Sequence, residues 1–277
     1  MIRTFQALLI LFAMGGAAAA HSAAPQASDC SSRNADPKAA VAACSQTIDS
    51  ARSDKPTLLS AHFERGLRYL QLAMPERQRG DCDAMVGLAP DDPRGYDCRG
   101  MMFGALKQYD PAISNFSQAI QLDARDVIAL LGRGTALQLK GDFAGAIPDY
   151  DGAIKLNPAD VIALNNRCWS RAVQGRDLDA ALADCNEAIR LDPAGANNYN
   201  SRAFVQFRLK HYSEAIHDSD VAINRDGRDG TSFYIRGLAK RALGDRAGGR
   251  ADIAIAKSLD PTVAQVYRGY GIRAVGE

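Results

Sequence analysis

The segment VIALLGRGTALQLKGDFAGAIPDYDGAIKLNP, residues 127–158, decides the fold because it reads as two short amphipathic helices joined by a tight turn. The pattern predicts a first helix over residues 127–140 and a second over residues 143–156, with Gly-Asp between them and Asn-Pro as the stop. Apolar residues recur at helical spacing in both parts, so each helix has one face to bury. Neither helix can bury that face alone, and the segment therefore predicts neighbours of the same kind.

Small residues mark these neighbours at the point where the two helices of each segment would cross most closely. They recur every 34 residues, with one extra residue in the loop after Gly175. Five of them are glycine or alanine and the sixth is cysteine: Gly66, Gly100, Gly134, Cys168, Ala203 and Gly237. This period, the small residues and the prolines that close several segments resemble the tetratricopeptide repeat family.

The resemblance implies an all-α fold, namely a right-handed α-α superhelical solenoid of helix-turn-helix repeats with terminal capping helices. About six repeats would span residues 59–261. The first repeat is expected to be degenerate, because Pro75 and Gly80 would interrupt its second helix. Residues 262–277 would form a C-terminal capping helix that covers the last repeat, as repeat arrays require for solubility.

The start of the chain has the layout of a secretory signal peptide over residues 1–20: one early cation, Arg3, then an apolar run and a small-residue site. Cleavage is expected after Ala20, or alternatively after Ala24. An uncleaved anchor is the other alternative, but the run is shorter than the ~18 apolar residues that usually span a bilayer. Residues 21–58 would then form a leader with an N-terminal capping helix. The sequence predicts a periplasmic or secreted protein with no membrane span after cleavage.

Charge gives no reason to expect nucleic acid or an anionic membrane as a partner. The chain has 33 Lys and Arg against 32 Asp and Glu, so it has no bulk attraction for either. Its 47% hydrophobic but only 7% aromatic residues suit an all-helical stack in which Ala, Leu and Ile make the contacts. We expect a protein or peptide partner.

Six cysteines in an exported chain are expected to form pairs. Several pairings are possible, and proximity in sequence favours three local ones: Cys30–Cys44, Cys82–Cys98 and Cys168–Cys185. The repeat register supports the third, because it places these two cysteines on facing sites of one repeat. The competing interpretation is redox or metal chemistry, but the sequence has neither C-x-x-C nor a Cys/His cluster at zinc spacing. No metal site and no cofactor are expected.

An arginine precedes the small site of every repeat, and an acid or amide occupies the matching position of each second helix. We expect each arginine to make a charge-assisted hydrogen bond to the aspartate of its own repeat. The expected structural pairs are Arg133–Asp149, Arg167–Asp184, Arg202–Asp218 and Arg236–Asp252. The alternative, a basic stripe that binds an anionic ligand, is disfavoured by the acidic ladder at the same register.

In the family that this chain resembles, the first helices line a concave groove that binds extended or helical peptide segments. The groove candidates are the first-helix positions that stacking does not use: Leu131, Thr135, Asn165, Asn166, Trp169, Asn197, Asn200, Phe204, Phe207, Tyr234 and Leu238. Trp169, the only tryptophan, lies beside amide side chains, which is the composition of a peptide site. The alternative is that Trp169 packs as ordinary core on a neighbouring first helix.

No catalytic constellation is evident. The sequence contains no P-loop, no G-x-S-x-G and no H-E-x-x-H, and His211 and His217 are six residues apart, so they do not share a helix face. We therefore expect a non-enzymatic scaffold or adaptor of the cell envelope that binds a partner segment in its groove. The alternative is a structural subunit of an envelope assembly or secretion complex that acts through its convex face or its ends.

Overall fold

The computed structural model describes Cys30 and residues 35–50 and 53–272. These residues form fourteen α-helices and no strands, which confirms the all-α class. The predicted signal peptide and most of the leader before residue 35 lie outside the described residues. The described chain divides into two compact units, the first ending at Gly141 and the second beginning at Asp142.

The first unit is a stack of antiparallel helices. Consecutive helices pack against each other, and the first helices of successive repeats also pack side by side. Its helices are α1 (Pro37–Asp49), α2 (Lys55–Gln71), α3 (Pro75–Leu88), α4 (Pro93–Ala105), α5 (Tyr109–Leu122) and α6 (Val127–Lys140), with α2, α4 and α6 as first helices.

The second unit repeats this arrangement and adds a short helix at its end. The first helices are α8, α10 and α12, and α14 packs against α12 and α13. The helices are α7 (Phe143–Leu156), α8 (Val161–Gln174), α9 (Leu178–Leu191), α10 (Ala196–Arg208), α11 (Tyr212–Arg225), α12 (Gly230–Ala242), α13 (Arg246–Leu259) and α14 (Val263–Gly269).

Local sequence signals set the helix ends. Asp126 and Asp160 each accept the backbone N–H three residues further on, at 3.0 and 2.9 Å, and so cap α6 and α8. Gly141 ends α6 in the left-handed conformation, with φ of 98°, which glycine adopts at little cost. The predicted bounds of the two helices in residues 127–158 are confirmed.

The expected interruption in the first repeat is wrong. Helix α3 runs unbroken from Pro75, which occupies its first turn, where a missing N–H removes no helical hydrogen bond. Gly80 lies inside this helix, and a Cβ added there would meet no atom within 4 Å. Proline therefore starts this helix, and the first repeat keeps both of its helices.

Close helix crossings explain the periodic small residues. A Cβ on Gly100 would lie 2.7 Å from the ring of Phe116, and one on Gly237 would lie 2.9 Å from the carbonyl oxygen of Gly249. Both distances are too short for a side chain. In these two repeats the small site is thus required by the packing of the first helix on its second helix.

Three disulfides join the cysteines that are nearest in sequence. Their S–S distances are 2.08 Å for Cys30–Cys44, 2.07 Å for Cys82–Cys98 and 1.94 Å for Cys168–Cys185. The second links α3 to α4 and the third links α8 to α9. Each closes a loop of a length that stabilises a fold by about 3 kcal/mol in the chain-entropy model.

The arginine ladder makes bidentate pairs within repeats of the second unit. Arg202 donates through Nε and Nη2 to both carboxylate oxygens of Asp218, at 2.7 Å each. The same geometry holds for Arg167–Asp184, at 2.9 and 2.6 Å, and for Arg236–Asp252, at 2.8 and 2.6 Å. Arg133 belongs to the first unit and Asp149 to the second, and their pairing stays a prediction.

The same arginines also reach back to the preceding second helix, which the sequence interpretation missed. Nη1 of Arg167 lies 2.7 Å from Asp151, and Nη1 of Arg236 lies 2.6 Å from Asp220. In the first unit Arg99 contacts Asp83 in this way, at 2.7 Å. The Asp-x-Asp pairs of the second helices therefore have a structural purpose, since their second acid holds the arginine of the next repeat.

Candidate functional site

Most predicted groove residues are not exposed. Buried candidates are Leu131, Thr135, Asn166, Asn200, Phe204, Tyr234 and Leu238. Asn165, Trp169 and Phe207 are half-buried, and Asn197 is exposed. A partner could therefore touch only a few of them in this state of the protein.

Three rings of the second unit form what we call the aromatic groove: Trp169 on α8, Phe204 on α10 and Tyr234 on α12. The ring centroids of Trp169 and Phe204 are 5.0 Å apart. Trp169 thus packs on the neighbouring first helix, as the alternative interpretation of the sequence proposed. Aromatic pairs at this separation attract each other beyond the effect of the area that they bury.

The end of the chain covers this groove. We call residues 263–272 the C-terminal segment; it comprises α14 and the turn after it. The ring of Tyr267 lies 5.0 Å from Tyr234, 5.3 Å from Phe204 and 6.5 Å from Trp169. The ring of Tyr270 lies 6.3 Å from Trp169 and 5.5 Å from Phe143 of α7. The segment predicted as a cap therefore also fills the face of the first helices.

Arg208 fixes the backbone of the C-terminal segment. It donates to the carbonyl oxygen of Tyr270 at 3.1 Å and to that of Val173 at 3.4 Å. Its guanidinium lies over Gly175, where a Cβ would collide with it, and 6.0 Å from the Phe204 ring. Burial lowers the pKa of Arg208. The groove thus combines apolar rings with one cation that binds backbone carbonyls.

The two tyrosines of the segment are desolvated to different extents. Burial raises the pKa of Tyr270 to about 12, and burial also raises the pKa of Tyr267 well above its ordinary value. Tyr267 is fully buried, and its hydroxyl has no hydrogen-bond partner among the described residues. A buried polar group without a partner costs free energy, so the fit of Tyr267 to the groove is incomplete.

Asn200, a predicted groove residue, has a structural contact instead. Its Nδ2 lies 2.9 Å from Asp229 and from Thr231, and 2.6 Å from Ser232, at the start of α12. This amide ties α10 to the next first helix. A partner would have to break these hydrogen bonds to use it.

In the first unit a carboxyl group occupies the position that corresponds to Asn200, three residues before the small site of the repeat. Asp97 on α4 is 1% exposed, and no hydrogen-bond donor of the described residues reaches either of its oxygens. Burial, and then the nearby Asp126, raise the pKa of Asp97 to about 9. A carboxyl group with this pKa holds its proton at neutral pH, beside Asp126. The sequence analysis did not identify this pair, although Asp97 precedes Asp126 by the same number of residues that separates Asn200 from Asp229.

A cavity of about 760 Å³ lies where first helices begin in the first unit. Its lining is mixed in charge, with three cations and four acids: Lys55, Arg94, Arg125, Asp91, Asp92, Asp123 and Asp126. Arg94 and Asp92 already form an ion pair at 2.6 Å. The lining is therefore partly neutralised and favours neither a cation nor an anion.

Nothing in the described part of the chain forms a metal site: it has no group of three or more His, Cys, Asp and Glu side chains that could hold an ion. His62 pairs with buried Asp81 at 2.7 Å, and Arg65 donates to the same carboxylate. This is a structural cluster between α2 and α3.

Within residues 35–50 and 53–272, no helix is both long enough and apolar enough to span a bilayer.

Comparison with known proteins agrees with the fold. The tetratricopeptide repeat family matches residues 102–161 and 140–196. An 89-residue stretch is 32% identical to the TPR repeat-containing thioredoxin TDX of Arabidopsis thaliana and covers 32% of this chain. It covers only 23% of TDX, so the chain matches under a quarter of that relative's length.

Two solved structures have the same fold at low sequence identity. PilW, a widely conserved type IV pilus biogenesis factor, superposes with a TM-score of 0.65 at 16% identity, over 76% of this chain and 98% of PilW. YrrB, a TPR protein with an unusual peptide-binding site, superposes with a TM-score of 0.53 at 13% identity, over 69% and 98%. The family match over residues 102–196 and the helical-hairpin architecture together show that this chain contains tetratricopeptide repeats.

Proposed function

We propose that this protein is a scaffold of the cell envelope that holds a segment of a partner protein in the aromatic groove of its second unit. Proteins of this family generally act as protein-interaction scaffolds. The observation that carries the proposal is that the groove already holds a peptide segment, since Trp169, Phe204 and Tyr234 surround the chain's own Tyr267. A face that can bury one tyrosine-bearing segment has the shape and chemistry to bury another.

The envelope location is supported by the cysteines and by the start of the chain. Three disulfides are typical of an oxidising compartment, and residues 1–20 have the layout of a signal peptide. PilW, which shares the fold, is a pilus biogenesis factor, and YrrB has a peptide-binding site. The peptide-binding site of YrrB supports a binding role for the shared fold.

Affinity capture from an envelope extract tests the proposal. Trp169→Ala removes a ring that contacts Phe204, Tyr267 and Tyr270, so it should abolish capture of a specific partner. Tyr96→Ala, an aromatic change in the first unit, serves as the matched control and should capture the partner as well as wild type. Circular dichroism confirms that both variants fold. Equal capture by all three proteins would contradict the assignment of the groove.

A second function is favoured by exposed apolar side chains on α13, the second helix of the last repeat. Ile255 and Leu259, four residues apart on α13, are 40% and 41% exposed. Residues at this spacing share one helix face, so they form a small apolar patch outside the groove. A structural subunit of an envelope assembly could dock there. In that case Ile255→Asp would abolish capture while Trp169→Ala would not.

A further inference from the structure

The C-terminal segment contacts the groove as a bound peptide would. Tyr267 and Tyr270 are three residues apart at the end of α14, so their rings lie on one side of a single helical turn. One ring lies between Phe204 and Tyr234, and the other reaches Trp169 and Phe143. The turn therefore places two aromatic side chains in the groove at once.

The backbone of this turn is also recognised. Gly271 follows with φ of 75°, a conformation that suits glycine and ends the helix. The carbonyl of Tyr270 then points to Arg208, which donates to it at 3.1 Å. The described residues give Arg208 no carboxylate partner, so its charge serves backbone carbonyls. A ligand thus needs two aromatic side chains and an accessible backbone carbonyl on the residue that carries the second ring.

This segment is much shorter than the helices of the repeats. Helix α14 has seven residues, too few for a helix that is stable by itself. The Tyr267 hydroxyl is buried without a partner in the described chain, and Tyr270 is only half-buried. Val263, Ala264 and Tyr267 are buried in the core of the second unit, so it is the shortness of this helix, and not a lack of contacts, that makes it easier to open than a full hairpin. We therefore expect the segment to leave the groove at a lower free energy than the hairpins below it unfold.

We propose that the aromatic groove recognises a helical turn with aromatic side chains at positions i and i+3, and that the C-terminal segment is a built-in competitor for it. The inference rests on the proposed function and adds the chemistry of the partner segment. Because the competitor is tethered, its effective concentration is high, of the order of millimolar for a short connection. A partner segment therefore binds only when it fits better than the tethered one, or when the tethered one is weakened.

The test uses the full chain, the fluorescence of Trp169 and a synthetic peptide of residues 261–277. Trp169 is the only tryptophan, so its emission reports the groove directly. Tyr270→Ala should weaken the tethered segment and raise the affinity for the added peptide by about tenfold relative to wild type. Tyr270→Phe keeps the ring and should behave as wild type. A peptide with alanine in place of both tyrosines should not bind.

A second measurement does not depend on any variant. At saturating peptide, wild-type protein should lose amide hydrogen-exchange protection in residues 266–272 and keep it in α8, α10 and α12. Equal affinity of Tyr270→Ala and wild type, binding of the alanine peptide, or unchanged protection would each overturn the inference.

Competition against the captured partner separates the two proposals. If the partner depends on Trp169 but the tyrosine peptide does not displace it, the groove function stands and the i, i+3 aromatic chemistry is wrong. If the peptide binds as expected but no partner depends on Trp169, the recognition chemistry stands and the proposed scaffold function is wrong.

Discussion

The two units place different side chains at one register position of their first helices. In the second unit Asn200 donates to Asp229 and to two hydroxyls at the start of the next first helix. In the first unit Asp97 faces Asp126 at that place and has no donor in the described residues. An amide joins two helices at any pH, whereas a carboxyl group can do so only while it keeps its proton. Similar backbones thus differ in how their stability depends on pH.

Two arginines of the ladder, one from each unit, differ in the burial of the acid that they bind. In the second unit the acid that receives the arginine is buried, since the side chain of Asp218 is only 2% exposed. In the first unit Arg99 binds Asp83, whose side chain is 53% exposed. Water can replace an exposed partner but not a buried one. The second repeat differs from the others of the ladder in this respect, since Arg65 of the first unit also binds a buried acid, Asp81, whose side chain is 1% exposed. Arg202 should therefore contribute more to stability than Arg99.

The largest expected effect tests this difference. Arg202→Ala would leave the Asp218 carboxylate buried without its bidentate donor and should lower the free energy of unfolding by about 3 kcal/mol. Arg99→Ala removes an exposed pair and should cost less than about 1 kcal/mol. Denaturant unfolding of both variants measures the two values. Equal losses would show that burial of the acid does not decide the contribution.

Asn200→Asp should make the second unit resemble the first. The substitution removes the amide that donates to Asp229 and places a carboxyl group next to that acid. We expect a loss of about 2 kcal/mol at neutral pH, because the carboxyl must either hold a proton or repel Asp229. The loss should shrink as the pH is lowered. Denaturant unfolding at pH 5 and pH 8 tests this, and a loss that does not change with pH would contradict it.

Asp97→Asn is the converse change and should remove a pH dependence from the first unit. An unfolded aspartate titrates near pH 4, whereas burial beside Asp126 raises the folded pKa of Asp97 to about 9. Between these values only the folded chain holds the proton, so unfolding becomes easier as pH rises, by about 1.4 kcal/mol per pH unit at most. The stabilisation is complete below about pH 4 and lost as pH passes about 9.

The variant should match wild type near pH 5 and exceed it at pH 8, because an amide donates to Asp126 at both values. Free energies of unfolding across this range check the expectation. Asp83→Asn, which changes an exposed acid of the same unit, is the control and should show no comparable change in slope. Parallel pH profiles for Asp97→Asn and wild type would contradict the assigned proton.

The repeat period could be read from the sequence because it rests on local signals. The small residues Gly100 and Gly237 and the aspartate caps are such signals, and the structure shows a close helix crossing at each glycine and a capped helix start at Asp126. Pro75 misled the sequence interpretation because the same residue either breaks a helix or starts one. Only the position of the helix start separates the two.

Local signals could not predict that the aromatic groove is filled by the C-terminal segment. Burial of Trp169 depends on Tyr267 and Tyr270, which lie about a hundred residues later in the chain. The period predicts a capping helix there, but not that its tyrosines turn towards the first helices. The Asp97–Asp126 pair was missed for a related reason, because its two residues belong to different repeats. Each aspartate alone has the sequence context of a solvent-exposed side chain.

The smallest expected effect concerns how stably the C-terminal segment occupies the aromatic groove of the second unit. The Tyr267 hydroxyl is buried without a partner among the described residues, so Tyr267→Phe removes a desolvated group and keeps every ring contact. We expect the free energy of unfolding to rise by about 1 kcal/mol, which raises Tm by about 2–4 °C in a chain of this size. Tyr270→Phe should leave Tm unchanged, since the Tyr270 side chain is only half-buried. Because a better-fitting competitor occupies the groove longer, Tyr267→Phe should also bind the peptide of residues 261–277 more weakly than wild type. A variant that is more stable yet binds the peptide more tightly would show that the C-terminal segment and the peptide do not share one site.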